Sequence, residues 1–466
     1  MNMKIAYIGG GSKEWAKVFM NDLALTPGLE GEIALYDIDH QAAERNQRIG
    51  TLIGAHAASL SHFVYTVAQT IEAALNSADF VAISILPGEL ETMAVDVHAP
   101  EKYGIYQSVG DTVGPGGVIR SLRTVPLFEH FAKKIRECCP EAWVLNFTNP
   151  MTICVKTLYD VFPEIKAFGC CHEVFHAQDF LCRIWEAQIG EKINRREIFT
   201  DVSGVNHFTW ITRATYKNHD LMRVLAAFVE LHHDSGFNHN GATDAYLSDP
   251  FACANMVKMD LFRRYGALGA AGDRHLAEFM PRSSYLRSPA SADRWRFALT
   301  PVAFRIRERE KKRSYLEAVA SGKLPVKLQK SDEEAIEMML ALRGGRPLVA
   351  NVNIPNRGQM PGIPLGAIVE TNAVFTNDHV IPMLAGPLPA DVLKLVKLHV
   401  ENLETLYTGI KRRDLETIRK AFMNQPLLEG ITPKDGNALF WEMVAGTRHE
   451  LEGNYDMDRH LKEESR

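Results

Sequence analysis

The chain has 466 residues, of which 46% are hydrophobic and 23% charged, and it carries a formal net charge of -5. That length exceeds one small domain and supplies enough apolar sequence for a large core. A weakly acidic chain with no lysine- or arginine-rich run excludes nucleic acid as the expected partner.

The opening MNMKIAYIGGG runs straight into a strand-like segment, without the charged, long apolar and small-residue zones of a secretory signal. No apolar run reaches the roughly 18 residues a membrane span requires. The seven cysteines are odd in number and include the adjacent pairs Cys138-Cys139 and Cys170-Cys171, a poor disulfide framework, so a reducing cytoplasm is the expected compartment.

Strand-like runs then alternate with helical stretches: Lys4 to Ile8, Glu32 to Tyr36, Phe63 to Val67, Phe80 to Leu86, Ala142 to Phe147 and Lys166 to Gly169. This alternation predicts an α/β domain over residues 1–195, a Rossmann-like doubly wound parallel sheet. From strand-like DVSGVNHFTWITRATY onward the pattern changes to long helical stretches, a Pro/Gly/Asn-rich passage and a leucine-periodic helix over Ala390 to Tyr407, predicting a second, mixed α/β and helical domain over 196–466. Asp458 to Arg466 reads as a solvated tail.

In KIAYIGGGSKEW, Gly9, Gly10 and Gly11 fall where the first strand should turn into a helix, so that backbone can approach a pyrophosphate. The fit to G-x-G-x-x-G is partial, because its third glycine would fall at Glu14. The second strand ends in LYDID, with Asp37 26 residues after Gly11. A carboxylate there accepts from an adenosine ribose and repels a 2'-phosphate, favouring NAD over NADP. Asp39 is the expected N-cap of a helix over His40 to Leu60.

ISILPG and NFTNP end the fourth and fifth strands and should border the nicotinamide end of the cofactor. Asn149, before Pro150, is either a ligand-facing group or a turn residue. FGCCHEVFH follows the sixth strand and places Cys171 on the same rim. A lone cysteine there is more often a small buried hydrophobe, and no CxxC spacing is present. His207, in GVNHFTW, lies 36 residues further on. One thiolate and one imidazole would leave a divalent metal open positions for paired substrate oxygens.

GGGS, LYDID, DTVGPGG, NFTNP, CHEV and GVNHF, in this order and spacing, resemble the NAD- and divalent-metal-dependent family 4 glycoside hydrolases over nearly the whole chain. The resemblance implies NAD and Mn2+ as cofactors, with Cys171 and His207 as metal ligands and His172 as the acid assisting leaving-group departure. It implies that Asn149 and Glu173 contact substrate and that Gly9, Gly10, Gly11, Ser12 and Asp37 form the cofactor site. Asp111 and the turn from Gly114 to Gly117 match a loop lining the active site, with Asp111 on the cofactor side. Tyr265 and Asp273, in RYGALGAAGDRH, are the candidate bases.

The implied chemistry is oxidation of the sugar at C3 by NAD+, proton removal at C2, elimination at C1, addition of water, and return of the hydride. GCCHEVF and YGIYQSVGDTVGPGGVIR resemble the α-galacturonidase branch, which would release galacturonic acid from small oligogalacturonides; an α-glucosidase of the same family is the alternative. Arg274 and Arg282 are the arginines available for a uronate carboxylate. The resemblance also implies a homodimer or homotetramer. Two readings of another class compete: an NAD-dependent 2-hydroxy-acid dehydrogenase, whose histidine–aspartate pair and arginine have no counterpart at matching spacing here, and a non-catalytic NAD sensor.

Overall fold

The computed structural model describes residues 2–455, so the tail expected from Asp458 onward lies outside the described residues. Six short apolar runs form β1 (Asn2–Ile8), β2 (Glu30–Tyr36), β3 (His62–Val67), β4 (Phe80–Ile83), β5 (Trp143–Asn146) and β6 (Lys166–Gly169). They pair in parallel in the order β6-β5-β4-β1-β2-β3, which reverses direction between β1 and β4. Ligands in such sheets sit at that reversal, outside the carboxyl ends of the strands. The central strands are nearly continuous in β-branched and aromatic residues, as burial on both faces demands: all four residues of β4 and of β5 are buried.

After Arg195 the strand direction changes. Strands β7 (Ile198–Val205), β8 (Phe208–Tyr216), β9 (His219–Asp220), β10 (Leu268–Gly269), β11 (Leu348–Pro355), β12 (Ile368–Thr376) and β13 (His379–Pro382) all pair antiparallel. The sheet itself does not stop there. β11 pairs antiparallel with β6 through Asn353 and Gly169, giving one sheet of 13 strands. One hydrophobic cluster correspondingly joins Phe19, Leu23 and Phe168 to Leu316, Met339 and Phe375. The parts expected on either side of residue 195 therefore share a sheet and a core.

The helix expected over His40 to Leu60 is shorter, His40–Gly54, and is capped as its sequence requires, with Asp39 Oδ1 accepting from Ala42 N at 3.0 Å. The leucine-periodic helix is longer than expected, Ala390–Arg412. Among the described residues no helix is long and apolar enough to cross a membrane, and all seven cysteines are free thiols.

Candidate active site

The carboxyl ends of the parallel strands and the tip of the β7–β8 hairpin share one rim, which carries two regions. The first is built from contiguous sequence. After β1 the chain turns through Gly9, Gly10, Gly11 and Ser12, and the N–H groups of Gly9 and Gly10 both donate to Tyr36 O at 2.9 Å. Gly9 has φ +97, and a Cβ there would lie 2.1 Å from Ser84 O just beyond β4, so only glycine lets the two strand ends approach at the reversal point. Asp37 Oδ2 accepts from Gly11 N at 2.8 Å and Oδ1 from Asp39 N at 2.9 Å, tying β2 to the turn. Burial pushes the Asp37 carboxyl above its ordinary range. Beside it Ile38 is 90% exposed, an apolar surface next to a carboxylate. The following helix, Trp15–Ala24, has no side-chain cap, which leaves its N-terminus open to an anion.

The second region gathers residues remote in sequence. Asp111, His207 and His275 each bring a ligand atom within 4.8 Å of the others. Asp111 and Thr112 immediately precede the helix Gly114–Cys138, whose start is fixed by Gly114 at φ +71 and a proline in its first turn. His207 sits with Asn206 at the tip of the hairpin between β7 and β8, at φ +64. A left-handed conformation in a residue with a Cβ costs about 1–3 kcal/mol and recurs where function requires it. Thr112 Oγ1 donates to Asp111 Oδ1 at 2.7 Å and lies 2.9 Å from His207 Nδ1, orienting both groups. The His207 and His275 rings are 3.8 Å apart. His275 Nδ1 is buried without a partner.

Charge follows from this crowding. Burial and the neighbouring imidazole push His207 down to about 3, and burial pushes His275 down as well, so both rings are neutral, the ligating form. Burial alone would raise the Asp111 carboxyl, but the Arg120 guanidinium holds it well below the usual carboxylate range. Two neutral imidazoles and a carboxylate suit a borderline divalent cation such as Mn2+.

Around this set lie the other residues expected from sequence. Cys171 is 7% exposed, packed against Met151, Val155 and Ile368, with its thiol pushed well up by burial and by Glu370 and Glu173. His172 touches the Trp15 ring at 5.6 Å and thereby joins the two regions. Burial opposes its protonation, but Glu333, 3.2 Å from Nδ1, and Glu173 raise it above the ordinary histidine value. Glu173 accepts from Gly272 N at 2.6 Å, lies 3.9 Å from His275 Nε2, and is held well below its ordinary range by the surrounding histidines against the effect of burial. Asn149 precedes a cis proline peptide, and its Oδ1 is buried without a partner.

The remaining expectations meet other duties. Asp273 accepts from Val257 N at 3.1 Å and Lys258 N at 3.0 Å, capping the helix Met256–Tyr265, and burial pushes its carboxyl up to about 6. Tyr265 packs on Trp210 at 6.0 Å and accepts from Arg264 at 3.0 Å. Arg274 Nη2 donates to Ser108 O at 2.5 Å and also to Thr300 Oγ1, so this arginine props the loop leading to Asp111. Arg282 donates to Gly104 O at 3.1 Å. Ser12 Oγ accepts weakly from Glu14 N at 3.4 Å. His176 is exposed beside His172.

Sequence reading missed His275 altogether, although it follows Asp273 and Arg274 in GDRH. Asp111 was expected on the cofactor side, and the structure places its carboxylate with the histidines. Glu370 was also missed. It is 1% exposed on β12, accepts from Thr209 Oγ1 at 2.7 Å and Asn351 Nδ2 at 2.8 Å, and is pushed up by burial to about 7. Its signal is an acid inside the apolar run IVETNAVF.

The family model described as family 4 glycosyl hydrolase matches residues 4–187, and that of the family's C-terminal domain matches 202–428. An α-galacturonidase of Thermoanaerobacter italicus is 48% identical over 97% of this chain and 98% of its own length. The solved structure of the candidate glucosidase lplD of Bacillus subtilis is 44% identical, with a TM-score of 0.90 over 95% of this chain and 100% of that one. A 6-phospho-α-glucosidase from gut microorganisms, solved with NAD and Mn2+, shares the fold at 19% identity, with a TM-score of 0.78 over 97% of this chain and 99% of that one.

Proposed function

Because the chain belongs to the family 4 glycosyl hydrolases, we propose that it is an α-galacturonidase that uses NAD+ and a divalent metal, Mn2+ first, to release galacturonic acid from small oligogalacturonides. The observation that carries this reading is the shared rim, where a dinucleotide turn and an acid–histidine cluster are linked by the contact of Trp15 with His172. A hydroxy-acid dehydrogenase has no use for the second region.

Both groups fit residues present. NAD+ would be held by the turn from Gly9 to Ser12, the uncapped helix that follows it, Asp37 and the exposed face of Ile38. The metal would be held by His207 with Asp111 and His275, whose Nδ1 lacks a partner; Cys171, outside that converging group and packed among apolar side chains, is the further ligand that the family resemblance implies. When bound, the two groups supply hydride acceptance and polarisation of the adjacent sugar oxygens.

The chain's own residues do the rest. The unpartnered Asn149 Oδ1 accepts from a sugar hydroxyl and orients the ring. His172, whose protonated form Glu333 and Glu173 favour against burial, donates a proton to the departing oxygen. Glu173 holds its position through Gly272 N and fixes the histidines around it. Tyr265 remains the candidate for removing the C2 proton, because both oxygens of Asp273 are committed to a helix N-terminus. A reducing cytoplasm suits the seven free thiols, and a homodimer or homotetramer is the assembly proposed, to be read by light scattering.

The test is release of p-nitrophenol from aryl α-galacturonide and α-glucoside, with and without NAD+, Mn2+ and a reducing thiol. Turnover of the galacturonide that needs both groups is expected; activity surviving removal of both would sink the reading. Preference for the glucoside would move the chain to the α-glucosidase alternative. In D2O the product should carry deuterium at C2, and Tyr265→Phe should suppress that exchange.

A further inference from the structure

Of the guanidinium groups near the cluster, Arg120 and Arg274 have acids acting on them, Asp111 for the first and Glu278 for the second, and Arg305 has none bonded to it among the described residues. Arg274 Cζ lies 5.2 Å and Arg305 Cζ 5.7 Å from the same Phe251 ring, which is 56% exposed. Arg274 is fixed by Ser108 O and Thr300 Oγ1, and its Nε is buried without a partner. Arg305, half-buried in the first turn of the helix Val302–Ala320, makes no hydrogen bond or ion pair among the described residues and is held by the aromatic face alone. Two cations thus share one ring, and the acids that act on Arg274, Glu278 and Glu173, leave Arg305 to be matched by an anion from outside.

Position decides which anion. Arg305 lies near enough to both Arg274 and Arg120 for its charge to act on each. Arg274 precedes His275 in sequence and holds Ser108 in the loop that leads to Asp111, while Arg120 Nε lies 3.3 Å from Asn149 O. Arg305 thus stands beside the space bounded by the acid–histidine cluster and Asn149, where the sugar must lie. The cofactor side of the same helix is already neutralised, with Arg309 on Glu91 at 3.3 Å and Lys312 on Glu14 at 2.5 Å. Arg305 lies on the same face of the helix as Arg309 and Lys312, about one turn nearer its start, and is the cation of that stripe without an acid.

We propose that Arg305 receives the C6 carboxylate of the substrate uronide, with Arg274 supporting it across Phe251, and is the residue that selects a uronide over a neutral sugar. This inference rests on the α-galacturonidase reading above. Phe251 keeps the guanidinium in place at little entropic cost, and the planar fork suits a bidentate carboxylate better than a lysine would.

Arg305 has no hydrogen bond or ion pair among the described residues to lose, so its replacement tests recognition. Wild type, Arg305→Gln and Arg305→Lys are compared on p-nitrophenyl α-galacturonide and α-galactoside, which differ only in carboxylate against alcohol at C6, and NAD+ affinity is followed by quenching of protein fluorescence. For Arg305→Gln, kcat/KM on the galacturonide should fall about 10- to 150-fold, mostly through KM, with the galactoside changed by less than ~3-fold. Arg305→Lys should recover part of the loss, and NAD+ affinity should not move. An equal fall on both substrates, an unchanged ratio, or weakened NAD+ binding overturns the assignment while the α-galacturonidase reading stands. A wild-type enzyme that prefers the galactoside overturns both.

Discussion

The two regions of the rim are built on opposite principles. The dinucleotide turn is local: its N–H groups are paired within a few residues of β1 and β2, and its steric demands, tightest at Gly9 and present also at Gly10 and Gly11, concern the neighbouring strands and helix. The acid–histidine cluster draws on residues 111, 207 and 275, keeps a histidine at positive φ, and leaves buried polar atoms unpartnered. Satisfied groups hold shape, whereas unsatisfied ones wait for something to bind. The contrast teaches which part of the rim is scaffold for a large ligand and which is a set of donors completed by a small one.

The sharpest way to separate the regions is His207→Ala. It should lower Mn2+-dependent turnover by about 10³-fold or more while leaving NAD+ affinity unchanged, because only the second region loses a donor. A parallel loss of NAD+ binding would show that the regions are not independent. Gly9→Ala should do the reverse, destabilising the fold by about 3 kcal/mol or more through a Cβ placed against Ser84 O, with loss of NAD+ binding and intact Mn2+ binding in whatever fraction folds, read by denaturant melts and calorimetry.

Glu370 gives an intermediate effect with a defined sign. Its carboxyl is raised in the folded state to about 7, above the ordinary value of 4.5, so the folded protein binds more protons between those values and stability falls as pH rises through that window. The loss amounts to about 3 kcal/mol at pH 8 relative to pH 4 for the metal-free protein. In Glu370→Gln this contribution should vanish, visible as a flatter dependence of melting temperature on pH in the presence of a chelator. An unchanged slope would mean that the carboxyl ionises freely. The smallest effect belongs to Asp37→Asn, which keeps an acceptor for Gly11 N and should weaken NAD+ by about tenfold without altering metal affinity, measured by titration calorimetry.

The parallel half of the fold was legible because its strands are short apolar runs with turn residues between them, and β6 falls on the residues expected. The glycine turn was legible for the same reason, since its parts are contiguous. His275 was not, because nothing in GDRH distinguishes a histidine aimed at His207 from one satisfied in a core; that distinction is made by β8 and β10 pairing over a distance of more than 50 residues. Asp273 misled in the opposite direction: an acid near an expected active site reads as a base, and only the start of the helix Met256–Tyr265 shows that it is a cap. The continuous sheet was invisible because the β6–β11 contact joins residues 169 and 353, a separation that no local pattern reports.

That single junction sets a timetable for biosynthesis. A ribosome that has released the first 200 residues has made β6 but not the strand that covers it, so the backbone edge next to Cys171 stays bare until residue 353 has emerged. Exposed edges recruit other chains, and distant pairings form slowly. The rim that performs the chemistry is therefore among the last parts of the molecule to close, and the nascent protein is most vulnerable to aggregation at the place where the finished enzyme is to work.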